Sequence, residues 1–280
     1  MKLLYPLAKR FIAGYDFDSA KKPISKLIKS GYKVSINYVG EESKTANDCF
    51  WAFSQYSEII DFYRDEEIDL SIKLTQLGLF IDKSLCLNLL FKITERAKKR
   101  GHTIRLDMEN SQTTTDTINF CLRVKKDHDN IGVAIQANLL RSSFDIHRLI
   151  ENKVSIRLVK GAYQEDTLVA LQGEDRIASA FFHLAMRLKI HKANAPAIAT
   201  HDEELIKKIF KSSSNPKYFD YEFLYGIRRD IQRRLKDDGI KVRIYVPFGE
   251  NWLPYTLRRL REWKNFKFVF FNIFKEWKHK

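Results

Sequence analysis

The most informative stretch of this sequence is residues 157–163, RLVKGAY, in which a β-branched run ends in two cations, a glycine and an aromatic residue. Arg157 and Lys160 place two positive charges at what the pattern predicts to be the end of a buried strand. Gly161 allows a ligand to approach the backbone closely because it has no side chain. This combination suits a bulky anionic cofactor better than it suits a packed core.

A second stretch has the same mixture of aromatic, glycine and basic residues, and it comprises residues 245–249, YVPFG, and residues 255–260, YTLRRL. Adjacent arginines on a helix point about 100° apart, so Arg258 and Arg259 can contact one ligand only at the edge of that helix face. Together with Lys73 they would hold a carboxylate strongly, because charge-assisted and bidentate hydrogen bonds are the strong kind. Read alone, the pair is more typical of a solvated basic helix.

The composition is that of an ordinary globular protein. The chain has 280 residues, of which 44% are hydrophobic and 30% are charged, which is enough for a well-buried single domain. No tract is long and apolar enough to span a bilayer, and the cations within residues 1–12 make a poor signal peptide. Cys49, Cys86 and Cys121 are widely separated and lack metal-ligand spacing. We therefore expect a cytoplasmic protein with reduced, partly buried thiols and no metal.

The formal net charge of +14 has three possible meanings: binding to nucleic acid, binding to an anionic membrane, or a basic surface without a specific partner. The cations are spread along the chain without a zinc-finger, RNP or helix-turn-helix signature, so no nucleic-acid partner is expected. Residues 266–278, FKFVFFNIFKEWK, are aromatic and flanked by lysines. They could bind peripherally to the inner face of the cell membrane or pack on the core, and their periodicity favours neither.

Short aliphatic or β-branched runs alternate with longer helical patterns along the chain. Eight such units indicate an α/β fold, a distorted (β/α)8 TIM-like barrel with additional N-terminal helices. We expect residues 1–32 to form that helical extension, residues 33–265 the catalytic barrel, and residues 266–280 an aromatic and basic tail. The predicted strands are residues 34–39, 70–74, 103–108, 131–136, 154–159, 197–200, 218–224 and 242–246. The predicted helices are residues 45–64, 82–100, 113–126, 143–151, 176–192, 202–212, 226–238 and 253–264.

In a (β/α)8 barrel the chemistry lies at the C-terminal ends of the strands. Those ends carry many polar residues, more than strands with a purely structural role would have. We expect these residues to lie together at the C-terminal opening of the barrel, its mouth. Each of these residues alone is typical of a solvated rim or a helix cap, so the prediction of a site depends on their occurring together. The set comprises Lys73, Asp107, Glu109, Gln136, Arg157, Lys160, Thr200, His201 and Tyr245.

The chemistry of this set narrows the class of ligand. Tyr163 and Tyr245 could wall an apolar ring, and Asp107 could balance the cations or orient a tyrosine or lysine. The sequence has no HExxH, Walker A, GxSxG or GxGxxG motif, so metal hydrolysis, P-loop chemistry, a serine-hydrolase elbow and a Rossmann site are unsupported. The residues by themselves point to a barrel enzyme for an anionic, partly apolar small molecule, with a phosphate-bearing cofactor.

At these residues the sequence resembles the proline dehydrogenase family, most specifically in residues 157–163 and 243–262. The resemblance implies a distorted (β/α)8 barrel and an FAD-dependent oxidation of L-proline to Δ1-pyrroline-5-carboxylate, the first step of proline catabolism, with electrons passed to a membrane quinone. Because the sequence ends soon after the barrel, the second step is expected from a separate pyrroline-5-carboxylate dehydrogenase. The other matching pieces are residues 37–41, 71–79, 105–109, 134–137, 199–202 and 224–228.

By position, the resemblance divides the site into groups that hold the substrate and groups that hold FAD. Arg157 would lie near the reactive flavin nitrogen, where a cation stabilises the reduced anion, and Asp107 would support the site through hydrogen bonds. The substrate would be bound by Lys73, Arg258 and Arg259 at its carboxylate and by Leu158, Tyr163 and Tyr245 at its ring. FAD would be lined by Gln136, Arg157, Val159, Lys160, Gly161, Ala162, Thr200, His201 and Glu262.

The sequence departs from the family pattern at a few positions. Gln164 stands where many members carry an aromatic residue, which puts aromatic stacking on the cofactor in doubt there. Asn37 and Asn138 stand where Asp and Tyr are more often expected. Glu41 could be a gate partner for an arginine over the site. None of these departures touches the residues assigned to the substrate.

Two other hypotheses compete with the flavoenzyme. A Schiff-base lyase or aldolase on the same barrel would use Lys73 or Lys160 as its nucleophile, and would need that lysine desolvated enough to lose its proton. A non-catalytic basic barrel would bind membrane or nucleic acid through its surface. The presence of Lys73, Asp107, Tyr245, Arg258 and Arg259 argues against the non-catalytic hypothesis.

Overall fold

The structure is a computed structural model that describes residues 10–40, 42–253 and 255. Its strands form one closed barrel of eight parallel strands in the order of the chain, so the predicted (β/α)8 barrel is confirmed. The strands are β1 Lys33–Tyr38, β2 Asp69–Ile72, β3 Thr103–Leu106, β4 Ile131–Gln136, β5 Ser155–Val159, β6 Ala197–Ala199, β7 Asp220–Leu224 and β8 Val242–Phe248.

Within the described residues, one helix precedes the barrel, and one follows each of the first seven strands. The helices are α1 Phe17–Lys29, α2 Ala46–Phe62, α3 Lys83–Lys99, α4 Ser111–Lys125, α5 Ser142–Glu151, α6 Glu174–Ile190, α7 Glu203–Ser212 and α8 Arg229–Asp237. These bounds lie within a few residues of the predicted ones. Most of the helix predicted for residues 253–264 lies outside the described residues.

The barrel closes through the pairing of its first and last strands. β1 and β8 pair in parallel from Lys33 opposite Arg243 to Tyr38 opposite Phe248. This pairing places side chains from the two ends of the barrel sequence next to each other. Residues more than 200 positions apart can therefore contribute to one site.

The two faces of the barrel strands differ in chemistry. Successive side chains of a strand point to opposite faces, so every second residue faces the helices. On β5 these are Ile156 and Leu158, both completely buried in the apolar core. The inner face is unusually polar, and buried charged groups are tolerated there because each meets an opposite charge.

Local chemistry explains where several elements begin and end. Thr45 and Asp48 form a capping box at the start of α2, and Asp202 caps α7 by accepting a hydrogen bond from the backbone at the third residue beyond it. β7 starts two residues later than predicted because Pro216–Tyr218 form a short 3-10 turn, which proline favours at its start. β2 ends at residue 72 because Leu74–Leu77 form another 3-10 turn, which Gly78 closes with a left-handed backbone.

The segment ahead of α1 packs against the mouth end of the barrel. The Ala13 amide donates to the carbonyl of Pro247 at 2.9 Å, and the Gly249 amide donates to the carbonyl of Gly14 at 3.1 Å. Gly226 lies so close to this segment that an added Cβ would sit 1.8 Å from the carbonyl oxygen of Arg10. The approach of the two backbones therefore requires glycine at position 226.

Three further observations concern possible ligands and membranes. Among the described residues, no helix combines the length and the apolar character needed to cross a membrane. The same residues contain no group of three or more His, Cys, Asp or Glu side chains that could hold a metal ion. Cys49, Cys86 and Cys121 are all buried and free of disulfide bonds.

Candidate active site

Arg157 is buried inside the barrel near the C-terminal end of β5, with 2% of its surface exposed. Its Nε donates to Glu222 Oε2 at 2.8 Å and its Nη1 donates to Asp107 Oδ1 at 2.7 Å. Its Nη2 donates to Ser35 Oγ at 2.7 Å and to Asp69 Oδ2 at 3.3 Å. Burial disfavours the charged form, but the three carboxylates raise the pKa of Arg157 above its ordinary value, so it is a fixed cation.

Asp107 joins Arg157 to Tyr245 at the mouth of the barrel. The Tyr245 hydroxyl donates to Asp107 Oδ2 at 2.7 Å, and the guanidinium carbon of Arg157 lies 5.4 Å from the centre of the Tyr245 ring. Burial and the negative charge of Asp107 raise the pKa of Tyr245 well above its ordinary value, so its hydroxyl stays a donor. The structure thus brings together three predicted site residues from β3, β5 and β8.

A second set of charges lies deeper in the barrel, around Asp69. Asp69 Oδ2 accepts from Arg105 Nε at 3.2 Å and lies 3.9 Å from Arg243 Nη1. Burial alone would raise the pKa of Asp69, but Arg105, Arg243 and Arg157 together lower it below its usual range. Arg243 also pairs with Asp220 at 3.2 Å. The floor of the mouth is therefore a nearly balanced network of buried charges.

The rim beside β5 and β6 carries a partly exposed ion pair. Lys160 Nζ lies 2.7 Å from Asp202 Oδ2, and each side chain is about one-third exposed. Thr200 Oγ1 accepts a hydrogen bond from the Asp202 amide at 3.2 Å. His201 packs with its ring centre 5.8 Å from that of Phe223. An anionic group entering the mouth could reach Lys160 without disrupting the core.

The backbone between these groups is tightly packed. Gly161 has a φ of +117°, and an added Cβ would lie 2.1 Å from Asn138 Oδ1. That oxygen is buried and makes no hydrogen bond with any residue that the structure describes. Gln136 Oε1 accepts from the Ala162 amide at 3.3 Å, while Gln136 Nε2 donates to the carbonyl of Glu109 at 2.9 Å. These contacts hold the ends of β3 and β4 and the loop after β5 together.

Lys73 follows β2 and is partly exposed. Glu109, just beyond β3, accepts hydrogen bonds from Thr75 Oγ1 at 2.7 Å and from the Thr75 amide at 3.3 Å. Burial raises the pKa of Glu109, and Thr75 and the charge of Lys73 offset part of that rise. Lys73 is therefore near enough to Glu109 for their charges to interact, at the edge of the mouth formed by β2 and β3.

The structure corrects the assignment of Leu158 to the substrate ring. Because Arg157 points into the barrel, Leu158 points to the opposite face, where it is completely buried in the apolar core beneath the helices. Val159 points back to the inner side and is partly exposed. An apolar side chain that does belong to the inner face is Leu224, two residues beyond Glu222 and partly exposed at the end of β7.

Of the remaining residues that the sequence predicts for the site, the structure describes Tyr163, and the others lie outside the described residues. Tyr163 lies in the loop after β5 and is partly exposed. The residues outside the described part of the chain are Glu41, Arg258, Arg259, Glu262 and the segment 266–278. Their predicted roles at the proline carboxylate, at FAD, at a gate and at a membrane stay predictions.

Sequence reasoning missed three direct partners of Arg157, namely Ser35, Asp69 and Glu222. Ser35 and Glu222 lie inside strands and Asp69 begins β2, so none of them lies at the C-terminal strand ends where chemistry was expected. A signal was present for Glu222, because a glutamate between Tyr221 and Phe223 puts a charge into an otherwise apolar strand. A buried carboxylate needs an opposite charge, and that requirement points to an arginine on a facing strand.

Solved structures with the same architecture include proline utilization A from Bdellovibrio bacteriovorus inactivated by N-propargylglycine. It superposes with a TM-score of 0.87 at 21% identity, over 95% of this chain and 34% of that longer chain. A mutant of Bradyrhizobium japonicum proline utilization A superposes with a TM-score of 0.80 over 93% of this chain and 31% of that chain. The chain thus spans about a third of these larger proteins, and the likeness concerns the barrel fold.

Sequence comparison is more specific than the likeness of fold. Proline dehydrogenase 1 of Bacillus subtilis (strain 168) is 32% identical over 261 residues, which cover 91% of this chain and 86% of the relative. Proline dehydrogenase of Deinococcus radiodurans is 29% identical over 270 residues, which cover 92% and 87%. The family model described as proline dehydrogenase matches residues 20–269. From this match and the identity to the Bacillus relative we conclude that the chain belongs to the proline dehydrogenase family.

Proposed function

We propose that this protein oxidises L-proline to Δ1-pyrroline-5-carboxylate with FAD as its cofactor. The observation that carries the proposal is the fixed unit of Arg157, Asp107 and Tyr245 at the C-terminal end of the barrel. It places a permanent cation and a rigid aromatic ring at the end of the barrel where (β/α)8 enzymes do chemistry. The family assignment supplies the reaction class.

The described residues are chemically suited to FAD. Arg157 supplies a buried cation, Lys160 a partly exposed one for a phosphate, and Asn138 Oδ1 is a buried acceptor without a hydrogen bond among the described residues. When bound, the flavin supplies the hydride acceptor for the oxidation. The cofactor-binding residues of the proposal are Gln136, Arg157, Val159, Lys160, Gly161, Ala162, Thr200 and His201, with Glu262 assigned from the sequence.

The substrate would be held by charge at one end and by apolar contact at the other. We assign the proline carboxylate to Lys73, Arg258 and Arg259, because cations hold a carboxylate through strong charge-assisted bonds. We assign contact with the proline ring to Tyr163, Tyr245 and Leu224. Leu224 here replaces Leu158, which points away from the mouth. Asp107 fixes the Tyr245 hydroxyl, so the ring of that tyrosine presents a rigid wall. Binding of this kind aligns the reacting carbon and excludes water.

The reaction needs an acceptor for the electrons and an enzyme for the product. We propose a membrane quinone as the acceptor, which the family resemblance implies and which the basic charge of +14 suits, since anionic lipid attracts cations. Peripheral contact through residues 266–278 is part of this proposal. A separate pyrroline-5-carboxylate dehydrogenase would consume the product.

The geometry disfavours an aldolase that uses Lys160. A Schiff-base lysine must present its Nζ to a substrate carbonyl, and Lys160 Nζ is instead engaged by Asp202 Oδ2 at 2.7 Å. An aldolase and a flavoenzyme also differ in whether a lysine forms a covalent adduct with the substrate. Borohydride traps a lysine–substrate adduct, and a flavoenzyme forms none.

Absorption spectroscopy tests the proposal directly. Purified protein reconstituted with FAD should show flavin absorption that bleaches when L-proline is added without oxygen, and D-proline is the matched control. Quinone added afterwards should restore the absorption. A protein that binds no flavin, or a flavin that L-proline does not bleach, would contradict the proposed function.

A further inference from the structure

Three carboxylates accept hydrogen bonds from Arg157. Among the described residues, only Glu222 accepts from Arg157 and from no other group. Asp69 also binds Arg105, and Asp107 also accepts the Tyr245 hydroxyl. Glu222 Oε2 accepts from Arg157 Nε at 2.8 Å, and Glu222 Oε1 makes no hydrogen bond with any described residue. Arg157 is thus the one described residue that hydrogen-bonds to Glu222, and its charge offsets the rise that burial causes in the pKa of Glu222 more than the charges of Arg243 and Arg105 do.

The contact is isolated from solvent. Glu222 and Arg157 are each 2% exposed, and the strands that carry them, β7 and β5, are separated by β6. Electrostatic interactions are stronger in such an interior than in water, because little solvent is present to screen them. A change in charge at Glu222 would therefore be felt across the mouth.

Arg157 is held so completely that its influence on a cofactor must act largely through its field. Its guanidinium already makes four hydrogen bonds within the described part of the chain, with Glu222, Asp107, Ser35 and Asp69. A guanidinium has five N–H donors. A bound flavin therefore experiences the positive charge of Arg157 reduced by the negative charges of these three carboxylates. Of the three, Glu222 is the one to which no other described residue donates a hydrogen bond.

We propose that Glu222 is a positioning residue that fixes Arg157 inside the barrel and sets the reduction potential of the flavin by compensating the arginine's charge. This inference rests on the proposed function, because it requires that FAD bind at the mouth. A cation near a flavin stabilises its reduced, anionic form, so a less compensated Arg157 makes the flavin easier to reduce. Burial raises the pKa of Glu222, and the charges of Arg157, Arg243 and Arg105 offset part of that rise. In its ionised form, Glu222 therefore keeps the potential lower than Arg157 alone would make it.

Charge compensation is separated from packing by comparing two isosteric variants of β7. Glu222→Gln keeps an oxygen acceptor for Arg157 Nε and removes the charge. Asp220→Asn makes the same chemical change two residues earlier on the same face, where the partners are Arg243 and Lys33. The measurement is the midpoint potential of the bound flavin, obtained by spectroelectrochemistry on FAD-loaded full-length protein.

Glu222→Gln should shift the potential in the positive direction, and Asp220→Asn should leave it near that of the unmodified protein. Glu222→Asp keeps the charge, so its potential should be close to that of the unmodified protein. Equal potentials in the unmodified protein and Glu222→Gln would overturn the inference, and so would an equal shift in Asp220→Asn.

Two further outcomes are informative. If Glu222→Gln does not accumulate as folded protein, Glu222→Asp decides, because its carboxylate is one methylene further from Arg157. It should then show a smaller shift in the same direction, and no shift would overturn the inference. If the unmodified protein binds no flavin, the proposed function itself fails and this inference fails with it, which is a result distinct from flavin-loaded proteins of equal potential.

Discussion

The hydroxyl of Tyr245 on β8 donates a hydrogen bond to Asp107 at the end of β3 across a distance of 2.7 Å and 138 positions of sequence. The same carboxylate accepts from Arg157 on β5 through its other oxygen. One acidic side chain therefore fixes a ring and a cation from two other strands. Because the raised pKa of Tyr245 keeps its proton in place, the direction of this hydrogen bond is constant across the physiological pH range.

Tyr245→Phe should lower activity without preventing the fold. The change removes the donor to a partly buried carboxylate, and a hydrogen bond to a charged group is worth about 1.5–3 kcal/mol. If that energy is expressed in the transition state, kcat/KM for L-proline should fall by about 10- to 100-fold. Steady-state kinetics with a quinone analogue provide the measurement.

Tyr221→Phe is the matched control for this prediction. Tyr221 is completely buried on β7, and its hydroxyl makes no hydrogen bond with the described residues. Its removal should leave kcat/KM unchanged. Equal losses in the two variants would mean that Tyr245 acts only through general packing.

Gly161→Ala should reduce the binding of FAD. The residue has a φ of +117°, and the added Cβ would displace the side-chain amide of Asn138. Gly173→Ala is the control, since its φ is +88° but no atom lies within 4 Å of the added Cβ. Backbone strain of this kind costs about 1–3 kcal/mol, so both variants should melt at lower temperature.

Flavin content separates the two effects. Only Gly161→Ala should bind less FAD per mole of protein, because only that change moves a side chain at the mouth. Full flavin content in Gly161→Ala would show that Gly161 is required by the fold alone.

Glu203→Gln should destabilise the protein at neutral pH. The hydrogen bond from Arg228 Nη2 at 2.6 Å, helped by Arg234, lowers the pKa of Glu203 from 4.5 to about 2. A carboxylate with a lower pKa in the folded state stabilises the fold above its unfolded pKa, and this contribution disappears as the pH falls through the folded pKa. The expected loss at pH 7 is about 2–3 kcal/mol, measured by urea denaturation.

The pH dependence gives this prediction its sharpest test. The difference in stability between the unmodified protein and Glu203→Gln should shrink as the pH falls from about 4.5 towards about 2. Glu204→Gln is the neighbouring control, because Glu204 is largely exposed and its pairing with Lys207 is screened by solvent. A difference that is constant with pH would contradict the role given to the ion pair of Glu203.

Arg258→Met should raise the KM for L-proline while leaving FAD bound. Removing one partner of a clamped carboxylate typically costs about 2–5 kcal/mol, which corresponds to an increase in KM of roughly 30-fold or more. Flavin absorption per mole of protein is the internal control. An unchanged KM would refute the assignment of Arg258 to the substrate.

The arrangement of the barrel could be predicted closely from local patterns. The strand predicted for residues 131–136 matches β4 at both ends, because a continuous aliphatic run flanked by turn residues is specific for a buried parallel strand. Prediction was poorer where a 3-10 turn begins or ends a strand, as at Leu74 and Tyr218. Such turns have no long-range period for a pattern to detect.

Most of the strand-end residues could also be named from the sequence, since the C-terminal ends of barrel strands must converge. The face of an individual side chain was less certain. Leu158 was assigned to the mouth, although it neighbours Arg157 and must therefore point the other way along the strand. The error came from the resemblance, while the alternation of the strand would have prevented it.

The sequence by itself determined the class of fold, the end of the barrel where chemistry is expected, and most residues that reach that end, because these follow from periodicity and from the parallel arrangement of strands. Only the tertiary structure decided that Arg157 is surrounded by Glu222, Asp69 and Asp107. Those partners lie on other strands, and which inward-facing charges meet depends on the stagger of strands around a closed barrel. That stagger is a property of the whole sheet, so no single segment encodes it.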